Sequence, residues 1–287
     1  MKFTKMHGAG NDYVYVDCIH ENLPEEKRPE VSIKVSHRNT GIGSDGLICI
    51  CPSQKADFRM DMYNADGSQG KMCGNGIRCV GKYVYDFGLT DKTHFTVETL
   101  SGIKTLDLTV ENGKAVRIRV DMNEPILKPV DIPARFPGQT DEPLVQVPYE
   151  VDGKTYLTTP VSMGNPHSVI FIDEPVKNLD LNKMGPAFEN HPYFPDRVNT
   201  EFVRVLSRSE VEMRVYERGS GETLCCGTGC CAIGVACVLS GLTDNKITVH
   251  ALGGDITVEY NPETDGIVYM TGPAAVICTG EVDPDAL

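Results

Sequence analysis

Cys73 and Cys226 stand in one setting, Cys-Gly-x-Gly, written Cys73-Gly74-Asn75-Gly76 and Cys226-Gly227-Thr228-Gly229. An alternating strand pattern precedes each and a helix-length stretch follows, so each cysteine is expected at a helix N-terminus. Unsatisfied backbone N–H groups there carry partial positive charge, which predicts thiols of lowered pKa. The glycines let backbone approach a ligand closely, so the same turns can grip a carboxylate. One such thiol would read as a nucleophile. Two equivalent thiols suggest acid/base groups on opposite faces of one substrate. One removes a proton from a weakly acidic carbon, the other delivers one to the far face, and the roles exchange in reverse. That chemistry inverts a stereocentre. It needs N–H donors in a dry cleft to stabilise the developing enolate-like charge.

The equivalence of the two settings comes from an internal repeat. A shift of 153 positions aligns residues 60–91 with 213–244 without a gap and gives ten identities in 32 positions, where chance gives roughly two. They include Met60/Met213, Tyr63/Tyr216, the Cys-Gly-x-Gly residues, and Gly88-Leu89-Thr90-Asp91 with Gly241-Leu242-Thr243-Asp244. Before each motif a period of two predicts a strand: Phe58, Met60 and Met62 in the first copy, Val211, Met213 and Val215 in the second. After each, a helix ends at Gly88 or Gly241. Residues 232–239 are apolar on all sides, as in a helix enclosed by sheet, whereas Ile77, Val80, Val84 and Phe87 mark one apolar face. A hairpin follows in each copy. Leu106, Leu108 and Val110 lead through Asn112-Gly113 to Val116, Ile118 and Val120; Ile256, Val258 and Tyr260 lead to residues 267–270. Six prolines between Pro125 and Pro148 mark the junction.

The expected fold is therefore α/β, in two pseudo-symmetric halves. Each is a curved, mostly antiparallel sheet around a central helix, with the active site in the cleft between them. The first half spans residues 1–124, with 274–287 packing on it, and the second spans 125–273.

Composition narrows the functions. Lys and Arg number 27 against 40 Asp and Glu, a net charge of −13. Nucleic acid or an anionic membrane is thus excluded as the main partner, because phosphate binding needs surplus cations. An anionic small molecule held by backbone N–H groups and one or two Arg is compatible. No signal peptide or membrane span is read, which points to a cytoplasmic protein. Eleven cysteines without a secretion signal are expected to be free thiols. Cys18, Cys49, Cys51, Cys79, Cys225, Cys230, Cys231 and Cys237 read as small buried hydrophobes. No metal is expected, since the cluster Cys225-Cys226 and Cys230-Cys231 lies in a stretch too apolar for a zinc knuckle. A thiol-rich metal or redox binding protein is the competing reading. Opposed Cys73 and Cys226 thiols could also close a disulfide, as an inactivation.

Further segments carry a resemblance: His7-Gly8-Ala9-Gly10-Asn11-Asp12, Asn64-Ala65-Asp66-Gly67-Ser68, Ser162-Met163-Gly164-Asn165-Pro166-His167, Arg197-Val198-Asn199 and Glu217-Arg218-Gly219-Ser220-Gly221-Glu222-Thr223. With the two cysteine motifs they resemble, in order and over nearly the whole chain, the diaminopimelate epimerases. The cysteine motifs alone would also fit the related proline racemases. The resemblance implies interconversion of LL- and meso-2,6-diaminopimelate, on the way to lysine and cell-wall peptide, with no pyridoxal phosphate or other cofactor. It implies Cys73 and Cys226 as the acid/base pair and His167 and Glu217 as groups that tune the thiols. It implies Asn11, Asn64, Asn165, Asn199, Glu217 and Arg218 as substrate-binding residues, together with the turns Gly74-Asn75 and Gly227-Thr228. Arg218 suits a bidentate grip on the distal carboxylate, and Asn amides suit both ammonium and carboxylate. A homodimer is in keeping with the family, although no sequence feature decides it. The chain departs from the pattern at Gly46, where some members carry a Gln that contacts substrate.

Overall fold

In the first half the alternating segments pair into one mixed sheet. β1 (Lys2–Gly8) and β2 (Asn11–Asp17) form a hairpin, and α1 (Arg28–Ser36) crosses to β3 (Gly46–Cys51), which lies parallel to β2. β4 (Phe58–Asn64) returns antiparallel and the short β5 (Gln69–Gly70) folds back on it. α2 (Gly74–Asp86) then crosses to β6 (His94–Thr99), parallel to β4, before β7 (Gly102–Glu111) and β8 (Lys114–Asp121) complete a meander.

The second half repeats this order. β9 (Val147–Val151) pairs with β10 (Lys154–Ser162) and β10 with β11 (Pro166–Phe171). α3 (Leu181–Glu189) crosses to β12 (Asn199–Val205), parallel to β11, followed by β13 (Glu210–Glu217) and the short β14 (Gly221–Thr223). α4 (Gly227–Leu239) crosses to β15 (Lys246–Ala251), parallel to β13, and β16 (Gly254–Tyr260) and β17 (Val268–Gly272) close the meander. β18 (Ala275–Glu281) returns to pair with β1, as β9 pairs with β10. The computed structural model describes all 287 residues. They divide into two units, Met1–Val120 with Gly272–Leu287, and Asp121–Thr271. The α/β class and the two pseudo-symmetric halves read from the repeat are the architecture found.

The two central helices have the same length and the same ends. Cys73 and Cys226 are their N-cap residues, both with extended backbone. Gly88 and Gly241 take φ of 77° and 67° one residue beyond the C-caps. The N–H of Leu89 closes on the carbonyl of Val84, and that of Leu242 on Cys237, so both helices end in the six-to-one bond of a left-handed glycine cap. α4 packs on β10, β11, β12, β15 and β16, strands from both sides of its sheet. Its all-round apolar surface is buried accordingly. α2 packs on β1, β2 and β7. Phe87, read as part of its apolar face, is instead its C-cap, 45% exposed and stacked on Tyr83.

Two sequence expectations are corrected. On β8 the inward residues are Ala115, Ile118 and Val120, with Val116 only half-buried. The register slips between Thr109 and Val110, and the resulting bulge moves Val116 off the inner face. On β4, Asp61 and Tyr63 are buried as well as Phe58, Met60 and Met62. The unforeseen α1 covers that second face, bringing Arg28 against Asp61. α3 covers the corresponding face in the second unit over an aromatic cluster that includes Tyr149, Phe188, Phe194 and Phe202. No helix is long and apolar enough to cross a membrane.

Candidate functional site

In the first unit the Cys73 thiol accepts a hydrogen bond from Gly76 N–H at 3.3 Å and donates to Asn11 Oδ1 at 3.2 Å. Asn11 is held in turn by its amide, which donates to Asp45 at 2.7 Å. This places Asn11, the first residue of β2, beside the thiol. Asn75 is 2% exposed, and its side-chain oxygen accepts from the buried Arg78 at 2.9 Å. Arg78 also donates to the carbonyls of Gly74 and Pro273. The Asn75 side-chain oxygen is thus committed to the scaffold at the start of α2. Asn64 ends β4, and its amide donates to Ser68 Oγ at 3.0 Å. A Cβ at Gly46 would run into the carbonyl oxygen of Tyr63. This strand start therefore has no space for a side chain.

The second unit gathers more charge. His167, on β11, is fully buried, with Nδ1 2.7 Å from Glu201 Oε1 and Nε2 3.2 Å from Asn165 Oδ1. Asn165 stands at the entry to β11, in a turn where Gly164 takes φ of 99°. Glu217, at the end of β13, accepts from the Thr223 hydroxyl and lies close to the Cys226 thiol. Its burial raises its pKa. The Cys226 Sγ lies 3.4 Å from the Thr228 hydroxyl. Asn199 Oδ1 accepts from the Arg218 backbone N–H at 2.8 Å, and Arg218 Nη1 donates to the carbonyl of Asp196 at 2.9 Å. His167, Glu201, Glu217 and Thr228 thus lie around Cys226, with Asn165 behind His167, while Asn199 and Arg218 form a linked pair at the adjoining strand ends.

The expectation of a lowered pKa fails at Cys226. Burial pushes this thiol well above its ordinary range, and the neighbouring carboxyls of Glu217 and Glu201 push it further. The helix N-terminus is present, but desolvation and two nearby negative groups outweigh it. The other thiols read as buried hydrophobes are buried, except the half-buried Cys18.

Sequence reasoning passed over Asp45, Arg78 and Glu201. Glu201 alone left a signal, a charged residue inside the apolar run of a strand, where burial requires a partner. His167, Glu201 and Cys226 bring one donor atom each within 4.8 Å of one another. Such a nitrogen, oxygen and sulfur set could hold a divalent ion, although one of its three pairs is already joined by the His167–Glu201 hydrogen bond.

Comparison with known proteins identifies the family. The family pattern described as Diaminopimelate epimerase matches residues 3–128 and 159–277. The chain belongs to the diaminopimelate epimerase family. Proteins named Diaminopimelate epimerase from Agathobacter rectalis and Acetivibrio thermocellus are 58% and 55% identical to it. These matches cover 99% of both chains for the first and 100% of both for the second. One from Methanococcus maripaludis is 53% identical over 99% of this chain and all of its own. Among solved structures, a probable proline racemase from Agrobacterium radiobacter superposes with a TM-score of 0.71 at 13% identity, over 98% of this chain and 92% of the other. A phenazine biosynthesis protein of the PhzF family from Bacillus anthracis gives 0.70 at 18% identity, over 99% of each. The diaminopimelate epimerase fold is thus shared, in its two-halved form, with racemases and other proteins of different names.

Proposed function

We propose that the chain is the isomerase that interconverts LL- and meso-2,6-diaminopimelate by two-base proton transfer at the α-carbon, with Cys73 and Cys226 as the pair. The observation that carries this is the equivalence of the two thiols, each the N-cap of a 13-residue helix opened by Gly-x-Gly. Full-length identities above 50% to proteins named Diaminopimelate epimerase supply the substrate. Residues 1–124 with 274–287, and 125–273, act as halves that each present one thiol to one face of the substrate.

In one direction the Cys73 thiolate takes the α-proton and the Cys226 thiol delivers its own to the opposite face. Each turnover leaves the protonation of the pair exchanged, ready for the reverse reaction. Cys226 suits the donor role at the outset, because its surroundings favour the neutral thiol. His167 and Glu217 tune it. The backbone N–H groups of Gly74-Asn75 and Gly227-Thr228 hold the carboxylate at the reacting carbon and take up its developing charge. Asn11, Asn64, Asn165, Asn199, Glu217 and Arg218 bind the ammonium and carboxylate groups. No metal or organic cofactor has a part in these steps. The reading sets the chain in the cytoplasm, in supply of lysine and cell-wall precursor, and a homodimer is in keeping with the family.

A substrate panel tests this reading. Purified protein is expected to interconvert LL- and meso-diaminopimelate and to leave L-proline and L-lysine unchanged, since neither has the distal amino-acid group that Arg218 and the Asn residues would hold. Chiral chromatography follows the products. Racemisation of proline at a comparable rate would overturn the substrate assignment.

A further inference from the structure

We propose that Glu201 is a positioning residue for proton transfer at Cys226, acting through His167 to give the two chemically identical thiols unequal surroundings. This rests on the epimerase reading above. Glu201 and His167 are both fully buried, on the neighbouring parallel strands β12 and β11, and joined at 2.7 Å. The carboxylate takes the Nδ1–H, which fixes the ring plane. The other ring nitrogen, Nε2, then lies 3.2 Å from Asn165 Oδ1. The second oxygen of Glu201, Oε2, is buried without a hydrogen-bond partner. Such a group is costly unless its charge is used.

The repeat sharpens the point. A Cβ added at Gly229, in the first turn of α4, would lie 2.6 Å from Glu201 Oε1; one added at Gly76, in the first turn of α2, would lie 2.6 Å from Ile48 Cδ1. Ile48 stands 153 positions before Glu201. Beneath one thiol-capped helix start the fold therefore places a carboxylate, and beneath the other a buried apolar side chain. The groups facing Cys226 are His167 on β11, Glu201 on β12, Glu217 on β13, and Thr228 and Cys230 on α4. Glu201 is the member of this set that reaches both the imidazole and the first turn of α4.

Glu201→Gln keeps the shape and an acceptor for Nδ1–H and removes the charge. The expected result is a fall in kcat of roughly 10–100-fold, typical when a supporting partner is altered, with KM within about twofold. The pH profile for alkylation of Cys226 by iodoacetamide, read by mass spectrometry of the two cysteine peptides, is expected to move down by about one unit, while that of Cys73 stays. Glu201→Asp keeps the charge, draws the carboxylate back, and is expected to lower kcat while moving the Cys226 profile less than Gln does. It decides the case if the Gln variant does not fold. Unchanged kcat and an unchanged Cys226 profile would overturn the proposal, as would equal changes at both thiols, the mark of general loosening. An unmodified chain inert toward both diaminopimelate isomers would instead sink the epimerase reading on which the proposal rests.

Discussion

Cys73→Ala and Cys226→Ala are each expected to slow interconversion of LL- and meso-diaminopimelate by about a thousandfold or more, within the range that positioned acid/base groups contribute. KM should change little, because in the proposed mechanism the thiols exchange protons while the N–H groups and polar side chains bind. Both variants should fold. The Cys226 side chain makes no cap hydrogen bond to its helix, and Cys73 contributes a weak sulfur cap at 3.3 Å to Gly76 N–H. Cys73→Ser separates structure from chemistry, since a hydroxyl caps a helix well but ionises far too weakly to serve as the base. It is expected to match or exceed the parent in thermal unfolding and to stay inactive. Either Ala variant turning over at the parental rate would remove the two-thiol mechanism.

Arg218→Met is expected to raise KM for diaminopimelate by roughly a hundredfold, the loss of one charge-assisted bidentate grip on a carboxylate, with kcat falling by less than about tenfold. Arg218 is held at both its backbone and its guanidinium. The Arg218 N–H is pinned to Asn199 and one nitrogen of the fork rests on the Asp196 carbonyl, so the direction of the side chain is set before a ligand arrives. Arg218→Lys should recover only part of the affinity, because an ammonium cannot reproduce the planar fork. A KM within about twofold of the parent in the Met variant would show that the distal carboxylate is held elsewhere.

The parts of the fold that were legible in the sequence are those where sterics leave little choice. The Cys-Gly-x-Gly turns and the left-handed glycines Gly88 and Gly241 demand particular residues, so they survive in both copies of the repeat and make it visible. The Asn112-Gly113 turn, with φ of 50° and 73°, is of the same kind. α1 and α3 were not legible. Their sequences, Arg28-Pro29-Glu30-Val31-Ser32-Ile33-Lys34-Val35-Ser36 and Leu181-Asn182-Lys183-Met184-Gly185-Pro186-Ala187-Phe188-Glu189, carry Pro29 in the first turn and Pro186 inside the helix. They do not resemble each other, and α1 carries only a weak amphipathic pattern. The burial of Asp61 depends on α1, so it was hidden for the same reason.

Within the site, motifs pointed to the cysteines and polar residues but not to how they are held. The Asn75 oxygen is held by Arg78, three residues on in α2. The thiol of Cys226 looks acidified by its helix, yet it lies under two carboxyls brought in from β12 and β13. The latter two effects depend on residues 25 and 9 positions away along the chain, and the His167–Glu201 pair spans 34. No local pattern encodes such partners.

The most direct test of the central claim follows solvent deuterium into diaminopimelate. LL-diaminopimelate is incubated with the protein in deuterium oxide, and both isomers are recovered at low conversion for mass spectrometry. A thiol carries one proton, so the group that removes the α-hydrogen cannot return it to the other face. The account predicts meso product with one deuterium at the α-carbon, while the recovered LL substrate remains unlabelled. Meso product that retains the original hydrogen would contradict it, because that outcome requires a single base acting on both faces.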